Sequence, residues 1–422
     1  MRPWRPIPGL LLSAVAALGC SAPALNALRA STGLAPPSFP PPTVEEEVAV
    51  GVTLLRFEPP SYGGGPQRVH VIGVDGLGES AQLRILRANA GKVRVDRIAE
   101  GTSAVVAVNA GYFDSAGAPM GYLKIGGQEL ATQPAQRPPR GVVGWNPGEK
   151  LQFRTLASGD RWDAVSEALG AGPMLIQAGR RAERFEQEGF ADPKFLGPNP
   201  RTAIGQTADG RLLLVTVDGR SPTAAGLSLA DLARLMEELG CVDALNLDGG
   251  GSTTTWVRDF PEPIVNVPSD SGGARAVANV LVVDAPDVIA YDDDDPGHGW
   301  TTQPTWAWRR ASHETAYRGD LWLGEGVGAY AEWRLGTPSI PGRYAVEARV
   351  PNDPRVGRLT FSAGRDGAPR ASVDVDPRTQ GGRWVRIGAF DFAPQAAELR
   401  VRVASTGGAL VAADAVRLVR LP

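Results

Sequence analysis

Asp248 stands directly before Gly249-Gly250-Gly251, and Ser252 and Thr253 follow. A carboxylate, a run without side chains and two hydroxyls in one short stretch suit a charged ligand. Three consecutive glycines weaken regular structure. They are used where the backbone needs φ > 0 or must approach a ligand closely. Successive N–H groups in such a turn can form an anion-binding nest. No Lys follows the glycines, so this is not a nucleotide-binding P-loop. Ala244, Asn246 and Asp248 alternate with Leu245 and Leu247, which predicts a short strand buried on one face. Thr253–Trp256 predicts another strand. On this stretch alone, a tight hairpin with an exposed Asp is an equal reading.

Other segments deliver polar groups at strand ends. The apolar run 102–108 predicts a buried strand ending in Asn109-Ala-Gly-Tyr112, a site wall or a simple turn. The hairpin Met120–Gln128 carries Lys124, one of few lysines. Strands over Arg201–Gln206 and Arg211–Val217 flank the turn Ala208-Asp-Gly210 and bring Arg201, Asp218 and Arg220. His70, inside the strand 68–75, reads as a satisfied sheet histidine. Trp162–Leu169 predicts a short helix capped by Asp160, and 184–200 a long surface loop of the kind that covers sites. Ser228–Leu239 is the clearest helix, with Ser228 as N-cap, an apolar face and Gly240 at its end. Arg275–Val283 predicts one buried strand carrying Arg275 and Asn279. Cys241 reads as an inert core thiol.

Over residues 68–284 these segments resemble the phosphodiester glycosidase family, which includes the lysosomal uncovering enzyme that removes N-acetylglucosamine from a phosphodiester-capped mannose. The resemblance rests on Asn109-Ala-Gly-Tyr-Phe-Asp114, Ala171-Gly-Pro-Met-Leu-Ile176, Arg201-Thr-Ala-Ile-Gly205, Val217-Asp-Gly-Arg220, Asn246-Leu-Asp-Gly-Gly-Gly-Ser-Thr253 and Ala278-Asn-Val280. It implies cleavage of a sugar-1-phosphodiester at the anomeric C–O bond. Glycosidases usually need two carboxyl groups because an alkoxide leaves poorly. A phosphate monoester, with a second pKa of about 6, leaves as an anion. One carboxylate and strong phosphate stabilisation then suffice. Asp248 is the first choice for the carboxylate and Asp218 the second. Asn109, Tyr112, Lys124, Arg201, Thr202, Arg220, Gly249, Gly250, Gly251, Ser252, Thr253 and Asn279 are the expected substrate and phosphate contacts. Guanidinium groups suit phosphate because they pair with it bidentately. The chain lacks the many cysteines of the animal enzymes, so its substrate need not be theirs.

The 422 residues exceed one ordinary domain, and the net charge of −3 argues against a general nucleic-acid binder. The three His are not at ligand spacing, so neither a metal nor a cofactor is expected. Arg2, Arg5 and the apolar run 10–18 before Gly19-Cys20 resemble a lipoprotein signal over 1–20. Lipidation at Cys20 would anchor an exported protein to the bacterial envelope; plain secretion is the alternative. A Pro-rich tether would span 21–44. The phosphodiester glycosidase-like domain would span 45–285, an α+β fold of mixed sheets with few helices. An all-β sandwich would span 286–422, and it resembles golvesin-type, carbohydrate-binding-like modules. The acidic run Asp292–Asp295 reads as a solvated linker, with calcium binding as the lesser alternative. Trp306, Trp308 and Trp322 would form either a sugar-stacking face or part of a core. A non-catalytic glycan-binding protein on the same scaffold is the alternative function.

Overall fold

The computed structural model describes residues 36, 38–88, 91–135, 137–258, 260, 262–286, 288–292, 299–313, 315–317, 320–338, 341–365, 368–393, 396–405 and 410–421. The expected leader, Cys20, most of the tether and most of the acidic run lie outside them.

Residues 44–284 build an eight-stranded, a five-stranded and a four-stranded sheet, with one short two-stranded ladder. In the eight-stranded sheet the central strands are Val69–Val74, Leu212–Val217, Arg201–Thr207 and Cys241–Asn246. Their period-2 side chains split between two cores. Ile72, Ile204, Leu214 and Leu245 face the other sheets. Val71, Ala203, Val215 and Ala244 face the helix Leu229–Glu238. Covering both faces explains why the strand at 241–246 is buried on both sides rather than one. The helix begins as expected: Ser228 Oγ accepts the Asp231 N–H at 3.1 Å, and Gly240 follows with φ +84°.

Two local expectations fail. Residues 162–166 form a turn and Glu167–Gly170 a strand, not a helix. Trp162, Val165 and Ala168 sit in one small core, so their helix-like spacing arose from packing in an irregular segment. The segment 275–283 is two strands. Ala276–Val277 pairs with Val93–Arg94, whereas Asn279–Asp284 pairs with Gln82–Arg87 and Ala104–Asn109.

Residues 288–420 form sheets of four, five and three strands around a separate core centred on Trp333, Tyr344 and Phe361. The strands Tyr330–Leu335 and Gly342–Val350 fall where their alternation places them. Val288–Asp292 already belongs to this second region, pairing with Ala415–Arg420. Asp292, the first residue of the acidic run, is thus part of a strand of the second region. Trp308 is buried and Trp322 packs against the core, while Trp306 is 84% exposed. The three do not form one sugar-stacking face.

The two regions touch. Val50 N–H donates to the Pro286 carbonyl at 3.1 Å. Arg417 donates to Glu347 at 2.9 Å and reaches Glu47 at 2.8 Å. Their cores share no residue, so we expect a chain ending at Ala285 to fold alone. It should turn over a small soluble substrate within about threefold of the full chain. Aggregation, or loss of turnover on that substrate, would place the second region within the catalytic fold.

Candidate functional site

Strand register assembles the site. Arg201 lies opposite Val217, and Ala203 opposite Asn246. The start of one strand and the ends of its two neighbours thus meet at one end of the sheet. Opposite residues share a face, and successive residues alternate. Arg201 therefore points to the helix side, and Asp248, two residues beyond Asn246, does the same. Asp218, one residue beyond Val217, points to the other side.

On the helix side lies a cleft of about 330 Å³. Its walls are Lys194, Phe195, Asn199, Arg201, Arg220, Leu247, Asp248, Gly249, Gly250, Gly251 and Arg275. Asp248 is half-buried in the cleft wall. Desolvation raises its pKa to about 6, while the Ser252 hydroxyl, the Gly249 amide and Arg275 favour the ionised form. The Asp248 backbone is fixed from below. Its N–H donates to Ala110 O at 2.9 Å, and its carbonyl accepts from Asn109 Nδ2 at 2.5 Å. Asn109 Oδ1 in turn accepts from Thr202 Oγ1 (2.8 Å) and from the Thr254 N–H (3.1 Å). Asn109, Thr202 and Thr253 are buried, so they position the carboxylate from behind.

The glycine run forms a closed 3-10 turn instead of an open nest. Gly250 N–H donates to Pro200 O at 2.9 Å, and Thr253 N–H donates to Gly250 O at 3.2 Å. Two of the three glycine amides thus serve Asp248 and Pro200, and anion holding falls to side chains. Glycine is favoured at 250 by φ +62°. At 251 it is required by space, since a Cβ would lie 2.1 Å from Arg275 Nη2 and 2.2 Å from Asp270 Oδ1. Asp270 holds Arg275 bidentately at 2.8 and 3.0 Å. We expect Gly251→Ala to fold, because both obstacles are side-chain ends, but to displace this pair. Turnover should fall about tenfold or more. Unchanged kinetics would remove Arg275 from the site.

Arg201 is buried, and burial lowers its pKa to about 10. Its Nε donates to Leu227 O at 2.8 Å, and its Nη2 donates to Phe195 O (2.7 Å) and Gly197 O (2.6 Å). The bidentate Nε–Nη2 edge expected for phosphate is thus spent on Leu227 O and the segment 195–197, leaving Nη1. Arg220 holds Asn199 Oδ1 at 2.9 Å and has φ +62°. Such backbone strain in a non-glycine residue occurs mainly at functional sites.

The remaining expected residues divide. Tyr112 OH donates to Gly172 O at 2.8 Å and accepts from Asn246 Nδ2 at 2.9 Å. Burial pushes its pKa far up, so it stays neutral beneath the cleft. Asn279 Oδ1 accepts the Gly111 N–H at 2.7 Å, another support. Lys124 is buried in the five-stranded sheet and donates to Trp162 O at 3.0 Å; it is not part of the cleft wall. Asp218 accepts the Val267 N–H at 3.1 Å and Asn266 Nδ2 at 3.3 Å. It anchors that loop on the opposite face, and burial raises its pKa to about 6. His70 is buried and held neutral, its pKa lowered to about 3 chiefly by desolvation.

The expected contacts omitted Lys194, Phe195, Asn199 and Arg275. The first three come from the segment 184–200, which is not a plain loop: it holds the turns Phe185–Glu188 and Pro193–Leu196. Asp192 caps the second, accepting the Lys194 N–H at 2.9 Å. Asp-Pro at a helix start was the available signal. Phe195 stacks on Phe190 with ring centroids 5.0 Å apart, giving the cleft an aromatic wall.

Residues 102–284 match the family "Phosphodiester glycosidase", and residues 290–420 match "Golvesin C-terminal domain". The chain is similar to the SPbeta prophage-derived uncharacterized protein YomE of Bacillus subtilis (strain 168): 43% identical over 97 residues, 23% of this chain and 14% of that protein. It is 28% identical over 292 residues to the mouse N-acetylglucosamine-1-phosphodiester alpha-N-acetylglucosaminidase, 62% of this chain and 53% of that protein. The chain thus spans about half the length of the mouse relative and a far smaller share of the bacterial one. A solved hypothetical protein from Synechocystis aligns with TM-score 0.49 and 20% identity, covering 58% of this chain and 64% of that one. The chain thus matches a phosphodiester glycosidase domain over residues 102–284 and a Golvesin C-terminal domain over 290–420.

Proposed function

We propose that the protein hydrolyses sugar-1-phosphodiesters, cleaving the anomeric C–O bond, in surface glycans or extracellular polymers. The observation that carries this reading is Asp248, a carboxylate facing a cleft whose other charged wall groups are Lys194, Arg201, Arg220 and Arg275. Preorganised cations stabilise charge where it develops during the reaction. Ionised Asp248 drives attack at the anomeric carbon. Water supplies the new hydroxyl of the sugar, and the phosphate oxygen keeps the electron pair of the broken bond. The cationic wall holds the departing phosphate monoester, which needs no acid. The family relationship supports the same bond and substrate class.

Hydrolysis of a chromogenic sugar phosphodiester in heavy-oxygen water tests this. The label is expected in the released sugar. Label in the phosphate would make the protein a phosphodiesterase. No turnover on sugar phosphodiesters would favour a glycan-binding role.

We further propose export with a lipid on Cys20, on the charge and apolar pattern of residues 1–20. Wild-type protein expressed in a bacterium should fractionate with membranes, and Cys20→Ala should release it or leave the leader uncleaved. A soluble, unlipidated wild type would refute the anchor.

A further inference from the structure

The outward face of the five-stranded sheet in the second region has no role in the chemistry above. One row crosses all five strands as Thr301, Glu332, Arg402, Ser362 and Ser372. It is entirely polar, and hydroxyls flank its charged centre. Arg402 donates to Glu332 through Nε (3.2 Å) and Nη2 (2.9 Å), and its guanidinium lies 4.0 Å over the Tyr330 ring. Glu332 is buried beneath this contact. The next row puts Arg334 directly opposite Arg400.

Like charges directly opposite on a sheet are destabilising. Here the two rows hold three guanidiniums and one carboxylate. Arg400 reaches Glu332 only at 3.8 Å. Arg334 Nε is buried without a hydrogen-bond partner among the described residues. Nearby Asp374 accepts from Thr360 at 2.6 Å. Beside the strand irregularity between Ala363 and Gly364 lies a hollow of about 130 Å³ lined by Ser362, Arg400, Arg402 and the Glu332 carboxylate, so two guanidiniums face one resident carboxylate. That volume suits one anionic substituent, not a whole sugar chain. The hydroxyl-bearing row beside it suits a polyhydroxylated backbone.

We propose that this face is a second binding site, taking an anionic glycan through one oxyanion group seated between Arg400 and Arg402. The group is a carboxylate of an acidic sugar or a phosphodiester of a glycosyl phosphate chain. Guanidinium recognises both. The site is independent of the catalytic reading.

The test uses the full chain with Asp248→Asn, so that turnover does not intrude. Its titration with an oligoglucuronate, a glycosyl phosphate oligomer and a neutral cello-oligosaccharide is compared with that of the same protein carrying Arg400→Gln or Arg402→Gln. Thermal unfolding checks that each variant folds. One anionic oligomer is expected to lose about tenfold or more in affinity with either substitution, and to bind less tightly as salt rises. Loss for the oligoglucuronate identifies a carboxylate. Loss of a binding event for the phosphate oligomer identifies a phosphodiester. Equal binding of the neutral oligosaccharide, or anion binding unchanged in both variants, overturns the proposal.

Discussion

Asp248→Asn should lower turnover about a thousandfold or more while the fold survives. Removal of a group that moves a proton or attacks in the transition state costs on this order. The amide keeps the shape of the side chain, and the backbone bonds to Ala110 and Asn109 do not involve it. In the wild type, kcat/KM should fall as pH drops through about 6, where the half-buried carboxylate takes up a proton. The substrate diester stays anionic across that range, so the limb belongs to the enzyme. Stability gives a second readout. The folded pKa lies above the ordinary carboxylate value, so the native state binds more protons between about 4 and 6. Stability conferred at low pH is therefore lost as pH rises through that window. The Asp248→Asn substitution removes its share of that loss, while Asp218, raised for the same reason, keeps its own. A variant retaining a tenth of wild-type turnover, or a limb unchanged by the substitution, would move the chemistry away from Asp248.

Arg201→Lys should lower kcat/KM about a hundredfold, although charge is conserved. A lysine places one ammonium where the guanidinium serves Leu227 O, Phe195 O and Gly197 O at once. Leu227 O and Gly197 O keep donors from Asn199, but Phe195 O would be left without one, a loss of about 1–3 kcal/mol. The segment carrying Lys194, Phe195 and Asn199 would loosen, and Arg220 would lose its fixed partner Asn199. Hydrogen exchange at 194–199 should rise along with the kinetic loss. This separates a scaffold role from plain phosphate contact, which would lower activity and leave exchange unchanged. Full activity in the lysine variant would contradict both roles.

The sequence by itself determined the hairpin strands over 201–217, the long helix and the run Asp248–Thr253. Each follows from local causes: period-2 alternation in Arg201–Val217, the Ser228 cap, and glycines that no ordinary strand or helix would retain. It also brought Asp248 and Asp218 forward as first and second choice for one role, since both follow buried strands. Only the tertiary structure separated them. With Arg201 opposite Val217, the pleat turns Asp248 toward the cleft and Asp218 away from it. A one-residue difference in strand parity decides that outcome, and parity has meaning only once the register is known. The same holds for Lys124, whose charge is visible in sequence but whose partner, the Trp162 carbonyl, lies 38 residues away. Lys194 and Arg275 show the converse. Nothing local marks them as cleft residues, and only the packing of distant segments around the glycine turn brings them to Asp248.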